Sequence, residues 1–140
     1  MKQTLNDQDK FHVIVLGIIF DPIKKKILIG KRQKDPTTKK LSWCFPGGRL
    51  KPGEEVDKAL KAHVKEKTGH VIKNIGAIFS KIYSEKKDLL AVYFLTQLFE
   101  GKEKAGGNFT KLKWVSPKEL ETHFTTSLND KLKKYLMELV

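Results

Sequence analysis

Apolar residues fall into short runs along this chain, and their periodicity predicts both strands and helices. The first run, Phe11 to Phe20, is rich in β-branched residues and predicts a buried strand followed by a turn at Asp21-Pro22. Leu89 to Phe99 is apolar at successive positions, which is typical of a strand at the centre of its sheet. Further strands are expected at residues 27–29, 41–45, 71–83 and 111–115.

Three segments have helical signals. The first is residues 55–68, which Gly69 should end. Its apolar positions are Val56, Ala59, Leu60 and Val64. Ser116-Pro117-Lys118-Glu119 has the form of a capping box and predicts a short helix that runs to about Thr122. The last helix should start near Ser127, and its buried face should contain Leu128, Leu132, Tyr135, Leu136 and Leu139; Met137 is also expected in the core.

Length and composition predict one globular domain. A polar tail, residues 1–10, precedes a domain at residues 11–140, long enough to bury a core of one mixed sheet with helices against it. No apolar run reaches the ~20 residues that cross a bilayer, so no membrane association is expected. The tail lacks the apolar stretch of a signal peptide. Cys44 is the only cysteine, so an internal disulfide is excluded, and this fits a cytoplasmic location. Its side chain is expected to pack in the core as a small apolar residue.

The formal net charge is +12, and nearly all of the excess comes from lysine. This balance suits anionic partners such as phosphates, nucleotides or RNA. The lysines are spread along the chain and are not interleaved with aromatic residues, which equally fits a solvated, lysine-rich surface. Residues 100–108 are rich in glycine and lysine and predict a mobile loop.

The predicted helix at residues 55–68 carries polar groups on its inward side. A step of about 100° per residue places His63 and Lys67 on or beside the apolar stripe, with Glu66 at its edge. Polar groups in such positions must be paired or hydrated. The pattern therefore indicates that this helix does more than pack.

The stretch from Gly47 to His70 resembles the Nudix box, G-x5-E-x7-R-E-U-x-E-E-x-G-U, where U is a bulky aliphatic residue. The residues in register are Gly48, Glu54, Val64, Glu66 and Gly69. Residues 43–48, WCFPGG, resemble the W-x-x-P-G-G lead-in of that family, residues 27–32 its second strand, and residues 113–120 its late strand-to-helix segment. The resemblance implies an α+β fold, the Nudix α/β/α sandwich around a mixed β-sheet.

The resemblance also implies a reaction, the hydrolysis of a nucleoside diphosphate linked to another moiety, with Mg²⁺ or Mn²⁺ as cofactor. Box carboxylates three and four positions apart share one helix face and hold the metal. By this correspondence Glu66 and Glu54 are the candidate metal ligands, and positions 63, 66 and 67 carry the catalytic cluster. The candidate substrate-binding residues are Arg32, Arg49, Gly47 and Gly48. Many relatives are dimers, so a homodimer is expected by analogy.

The departures from the box fall on the residues that carry this chemistry. Ala62 stands where the family has Arg, and His63 and Lys67 stand where it has Glu. An ammonium within ~4 Å of a metal site repels the metal, so loss of the usual site is the direct inference. Without the Arg, Glu54 should pair with Lys58 or Lys61. The sequence therefore leaves two functions open. The protein is either a weakened hydrolase or a non-catalytic module that binds a nucleotide, a phosphorylated small molecule or RNA.

Several arrangements of the altered box remain open. His63, Glu66 and His70 have spacing that could suit a transition metal. A single metal could instead lie on Glu54, Glu55 and Glu66, with His123 or Glu85 as a base. Lys67 could replace the metal as a tethered cation for phosphate, or could form a structural ion pair with Glu66 or Glu54.

Overall fold

The structure is a computed structural model that describes residues 10–33, 43–84, 86–124 and 128–140. The described strands are β1 (His12–Asp21), β2 (Lys26–Arg32), β3 (Trp43–Cys44), β4 (Gly47–Leu50), β5 (His70–Ile82), β6 (Leu89–Gly101) and β7 (Phe109–Val115). The described helices are α1 (Val56–Thr68), α2 (Leu120–His123) and α3 (Asp130–Glu138), with a single 3₁₀ turn at Pro117–Glu119 before α2. Among these residues no helix is long and apolar enough to cross a membrane.

β1 is the hub of the mixed sheet. It pairs in parallel with β6 and antiparallel with β4 and with the start of β2. β5 continues the sheet beyond β6, while β3 and β7 both pair antiparallel with β2. The predicted central position of Leu89–Phe99 is confirmed, since β6 lies between β1 and β5.

Helices cover both faces of the sheet. Leu60 and Val64 of α1 pack on one face, in a cluster that includes Val15 and Phe94. On the other face, Leu120 of α2 and the α3 residues Leu132 and Leu136 pack in a cluster that includes Tyr93. Because Tyr93 and Phe94 are neighbours on one strand, their side chains point to opposite faces. The expected α/β/α sandwich is confirmed.

Local sequence signals correctly predicted where α1 ends and how the turn before α2 is capped. Gly69 follows the helix with φ of 77°, in the left-handed region that lets glycine end a helix. The capping box at Ser116 is also confirmed, because the Glu119 carboxylate accepts hydrogen bonds from the hydroxyl and the backbone N–H of Ser116. These hydrogen bonds hold the pKa of Glu119 below its ordinary value.

Other predictions about packing were wrong. Val56, Tyr135 and Met137 are exposed, not buried, so each apolar stripe is narrower than its sequence pattern suggests. α3 begins at Asp130 behind an Asn129 cap, while the predicted start at Ser127 lies outside the described residues. Residues 41–42 of the predicted third strand also lie outside them. β7 begins at Phe109, two residues before the predicted start.

The first turn of α1 is tied to β5 through Asp57. Its carboxylate accepts a hydrogen bond from the Asn74 amide at 3.1 Å and pairs with the Lys61 ammonium at 2.9 Å. The hydrogen bond from Lys61, with that from Asn74, holds the pKa of Asp57 below its ordinary value. The ion pair with Lys61 therefore stabilises the folded state only while Asp57 is ionised.

Asp57→Asn should lower the free energy of unfolding by about 1 kcal/mol or less at neutral pH, because the pair is exposed to solvent screening. A depressed folded-state pKa gives stability that is present above the unfolded pKa of Asp and lost as the pH falls through the folded value. The difference between the two proteins should therefore shrink below about pH 4. Urea unfolding across pH measures it, and a difference independent of pH would contradict this role.

Candidate functional site

The turn into β4 is packed so tightly against its neighbours that only glycine fits. A Cβ at Gly47 would collide with the backbone of β1 at Val15 and Leu16, and a Cβ at Gly48 would collide with the imidazole ring of His63. The Pro-Gly-Gly turn thus brings the β4 backbone directly onto α1. The substrate-binding roles predicted for the two glycines stay predictions, and their packing role is evident.

His63 joins α1 to β4 through a backbone carbonyl. Its Nε2 lies 2.9 Å from the Arg49 carbonyl oxygen. A carbonyl only accepts, so Nε2 carries the proton and donates. The opposite edge of the ring, with Nδ1, lies against Gly48. While Nε2 donates to the Arg49 carbonyl, it has no lone pair to offer a metal.

Lys67 makes a second link of the same kind. Its Nζ donates a hydrogen bond to the Gly47 carbonyl oxygen and lies 5.6 Å from the centroid of the Phe109 ring. Two of the altered box positions, 63 and 67, therefore hold hydrogen-bond donors to β4 carbonyls, at alternate residues of that strand. A carboxylate at either position would be an acceptor and would make neither bond.

The ammonium of Lys67 is partly buried, with the charge of one other cation, Arg32, acting on it. Burial lowers the pKa of Lys67, with Arg32 adding to this effect and Cys44 and Glu66 opposing it. Burial also raises the pKa of the Cys44 thiol to about 11, against the attraction of Arg32 and Lys67. We call this group the Lys67 site; its residues are Arg32, Cys44, Gly47, Lys67 and Phe109.

Arg49 is engaged elsewhere. Its guanidinium donates to Nδ1 of His12 at the start of β1, and Nε2 of His12 lies 3.8 Å from the Asp88 carboxylate. A guanidinium cannot accept a hydrogen bond, so His12 accepts at Nδ1. Of the two arginines predicted to bind phosphate, only Arg32 therefore belongs to the Lys67 site.

The charge pairings predicted for the box were wrong. Oε1 of Glu54 accepts a hydrogen bond from the Lys51 backbone N–H at 2.7 Å, which closes the turn before α1. Lys58 and Lys61 pair instead with Glu55 and Asp57. In the described part of the chain Lys67 forms no ion pair with Glu66 or Glu54, because its ammonium is turned toward Gly47.

The loop predicted to be mobile, residues 100–108, is tied to the end of α1. The N–H groups of Lys104 and Gly106 donate to the carbonyls of Thr68 and Lys67, at 2.9 and 3.1 Å. These are carbonyls that a helix end leaves without intrahelical partners. The loop begins later than predicted, because β6 runs on to Gly101.

Glu103 fastens this loop, and sequence reasoning missed it. Its Oε1 lies 3.0 Å from Nε2 of His70 and accepts a hydrogen bond from the Trp114 indole at 2.8 Å. The partners are far apart in sequence, so no local spacing could have signalled the cluster. Because His70 is held by Glu103, it does not join His63 and Glu66 in the transition-metal site that their spacing suggested.

The described residues do not fit the divalent cation that the box usually holds. No group of three or more His, Cys, Asp or Glu side chains gathers there to ligate a metal ion. Glu66 is exposed, the Glu54 carboxylate accepts a hydrogen bond within the turn before α1, and position 67 carries an ammonium. His123 packs against Trp43 with a centroid separation of 5.6 Å, on the α2 side of the sheet and away from α1. Glu85, the other base considered, lies outside the described residues.

Comparison with known proteins identifies the family. Residues 10–138 match the model of the NUDIX domain, and the chain therefore belongs to that family. A Bacillus subtilis (strain 168) protein named "Putative 8-oxo-dGTP diphosphatase" is 32% identical over 100 residues. The match covers 69% of this chain but only 61% of that protein's length.

Solved structures share the fold. A chain from the study of MutT of Aliivibrio salmonicida and Vibrio cholerae aligns with a TM-score of 0.70 at 24% identity, covering 91% of this chain and 96% of that one. A NUDIX hydrolase from Nitrosomonas europaea aligns with a TM-score of 0.72 at 21% identity, covering 93% and 88%. At such identities these structures support the fold and leave the activity open.

Proposed function

We propose that this NUDIX domain binds the phosphate groups of a nucleotide, or of a nucleoside diphosphate linked to another group, through fixed side-chain cations. We further propose that it has lost the usual metal-dependent hydrolysis. The observation that carries the proposal is the contact from Lys67 Nζ to the Gly47 carbonyl. It places an ammonium on α1 where the family box has a carboxylate.

The chemistry of Lys67 suits an anion better than a metal. An ammonium has three N–H donors, and the Gly47 carbonyl takes one of them. Two donors remain on a partly buried side chain, and hydrogen bonds to phosphate oxygens are stronger in such surroundings than in water. Arg32 lies close enough to disfavour the charge on Lys67, and an anionic ligand would relieve this repulsion. The two side chains together would replace the positive charge that a metal ion supplies.

A ligand held by protein cations should not need a metal. Binding of ADP, dGTP, 8-oxo-dGTP and ADP-ribose, measured by calorimetry, should be the same in EDTA and in buffer without added metal. Excess Mg²⁺ should weaken binding, since it competes with Lys67 and Arg32 for the same phosphate oxygens. Nucleotide binding that requires Mg²⁺ or Mn²⁺ would contradict the proposal.

A metal-dependent hydrolase is the second candidate, and the Bacillus subtilis relative favours it. In that case Glu66 would take part in metal binding, and Lys67 would have to move away from Gly47. Metal-dependent turnover of 8-oxo-dGTP that Glu66→Gln abolishes would establish this alternative. Retained activity in Glu66→Gln would point to a contaminating enzyme.

A further inference from the structure

A row of side chains crosses the sheet on the face opposite α1. Lys31 of β2 lies directly opposite Trp43 of β3 on one side and near-opposite Lys111 of β7 on the other. Side chains of cross-strand partners share a face, with Cβ atoms about 5 Å apart. Ile29, two residues before Lys31, packs in the core cluster of α2 and α3, which identifies the face. Trp43, Lys31 and Lys111 therefore form one row, which we call the lysine row.

Lys113 enlarges the positive surface beside the lysine row. It pairs with Ile29 and lies two residues from Lys111, so its exposed side chain emerges on the same face. Lys31 and Lys111 are like charges on paired strands, and like charges that face each other across a sheet destabilise it. Over the described ranges, no carboxylate forms an ion pair with Lys31, Lys111 or Lys113.

An aromatic ring ends the row. The indole of Trp43 is only partly buried; it packs against the core cluster of α2 and α3 and lies perpendicular to the His123 ring. An aromatic ring next to lysines that pair with none of the described carboxylates suits a ligand that combines anions with flat rings, and single-stranded nucleic acid has this chemistry. An acidic peptide would match the charges of the lysines and would not need the exposed part of the indole.

We propose that the lysine row, with Lys113, is a surface for single-stranded nucleic acid. Lys31, Lys111 and Lys113 contact phosphates, and Trp43 stacks on a base. The net charge of +12 attracts such a strand from a distance. This surface is on the opposite face of the sheet from the Lys67 site, so the proposal does not depend on nucleotide binding there.

The test measures binding of short oligo(U) and oligo(dT) to a Trp114→Phe background, in which Trp43 is the remaining tryptophan. Quenching of its fluorescence reports contact with the row. Adding Lys31→Gln and Lys111→Gln should weaken binding about tenfold and lower the slope of log Kd against log salt by about 0.7 for each lysine. The matched control, Lys73→Gln with Lys65→Gln, makes the same charge change at exposed sites on β5, beyond β6, and on α1, on the opposite face of the sheet.

The proposal requires that the control pair bind within about twofold of the background, with circular dichroism showing that both pairs are folded. Equal weakening by the two pairs would overturn it in favour of diffuse attraction by the whole surface. Binding of polyglutamate that depends on the row, with no quenching by either oligonucleotide, would overturn it in favour of an acidic protein partner. Comparing oligo(U) with oligo(dT) then distinguishes RNA from DNA.

Discussion

The triple variant Ala62→Arg, His63→Glu and Lys67→Glu should gain Mg²⁺-dependent hydrolysis of a nucleoside triphosphate or diphosphate derivative. It adds two carboxylates to the helix face that carries Glu66 and removes the ammonium beside it. A metal site on an intact NUDIX scaffold should raise the rate on the order of 100-fold or more above wild type. Phosphate or pyrophosphate release measures the gain.

The same substitutions should destabilise the domain. They remove the hydrogen bonds from His63 to the Arg49 carbonyl and from Lys67 to the Gly47 carbonyl. Each is worth about 1 kcal/mol, so Tm should fall by several degrees. The matched control replaces His63 and Lys67 with Met and keeps Ala62→Arg, which removes the same two hydrogen bonds without adding carboxylates. Activity in this control, or a folded but inactive triple variant, would contradict the account.

Lys67→Met should weaken metal-free nucleotide binding by roughly 10- to 100-fold. Methionine keeps much of the length and apolar stem of Lys67 and removes its charge. A hydrogen bond to a charged group is worth about 1.5–3 kcal/mol, which converts to that range of affinity. Titration calorimetry in EDTA with the best ligand of the panel measures the change.

Lys65→Met is the matched control for this substitution. Lys65 is exposed on the same helix, two residues before Lys67, and lies outside the Lys67 site. Its replacement changes the net charge equally and should leave affinity within about twofold. Equal losses in the two variants would show that general charge, and not the Lys67 site, holds the ligand.

Local chemistry predicted the parts of this fold that depend on neighbouring residues. Gly69 ends α1 because glycine accepts a positive φ, and Glu119 closes its capping box because Ser116 lies three residues away. The box spacing also identified the family. Exposure was less predictable, since the periodicity of α3 includes Tyr135 although the core reaches only to Leu132 and Leu136.

The hydrogen-bond partners of the site residues depend on tertiary contacts, which cannot be deduced from spacing along the sequence. The inward positions of His63 and Lys67 were predicted from helical spacing, but their acceptors are backbone carbonyls of β4, which have no sequence signature. Glu54 illustrates the same difficulty. Its predicted partners were lysines one and two turns along the helix, but its carboxylate instead accepts a hydrogen bond from the nearer backbone N–H of Lys51 and closes a turn.

Wild-type turnover tests the central claim most directly. The purified protein is incubated with 8-oxo-dGTP, dGTP, ADP and ADP-ribose in Mg²⁺ or Mn²⁺, and products are followed by phosphorus NMR beside the Glu66→Gln variant. If Lys67 has replaced the metal site, the wild-type rate will not exceed that of the variant. Metal-dependent hydrolysis by the wild type that Glu66→Gln abolishes would contradict the account.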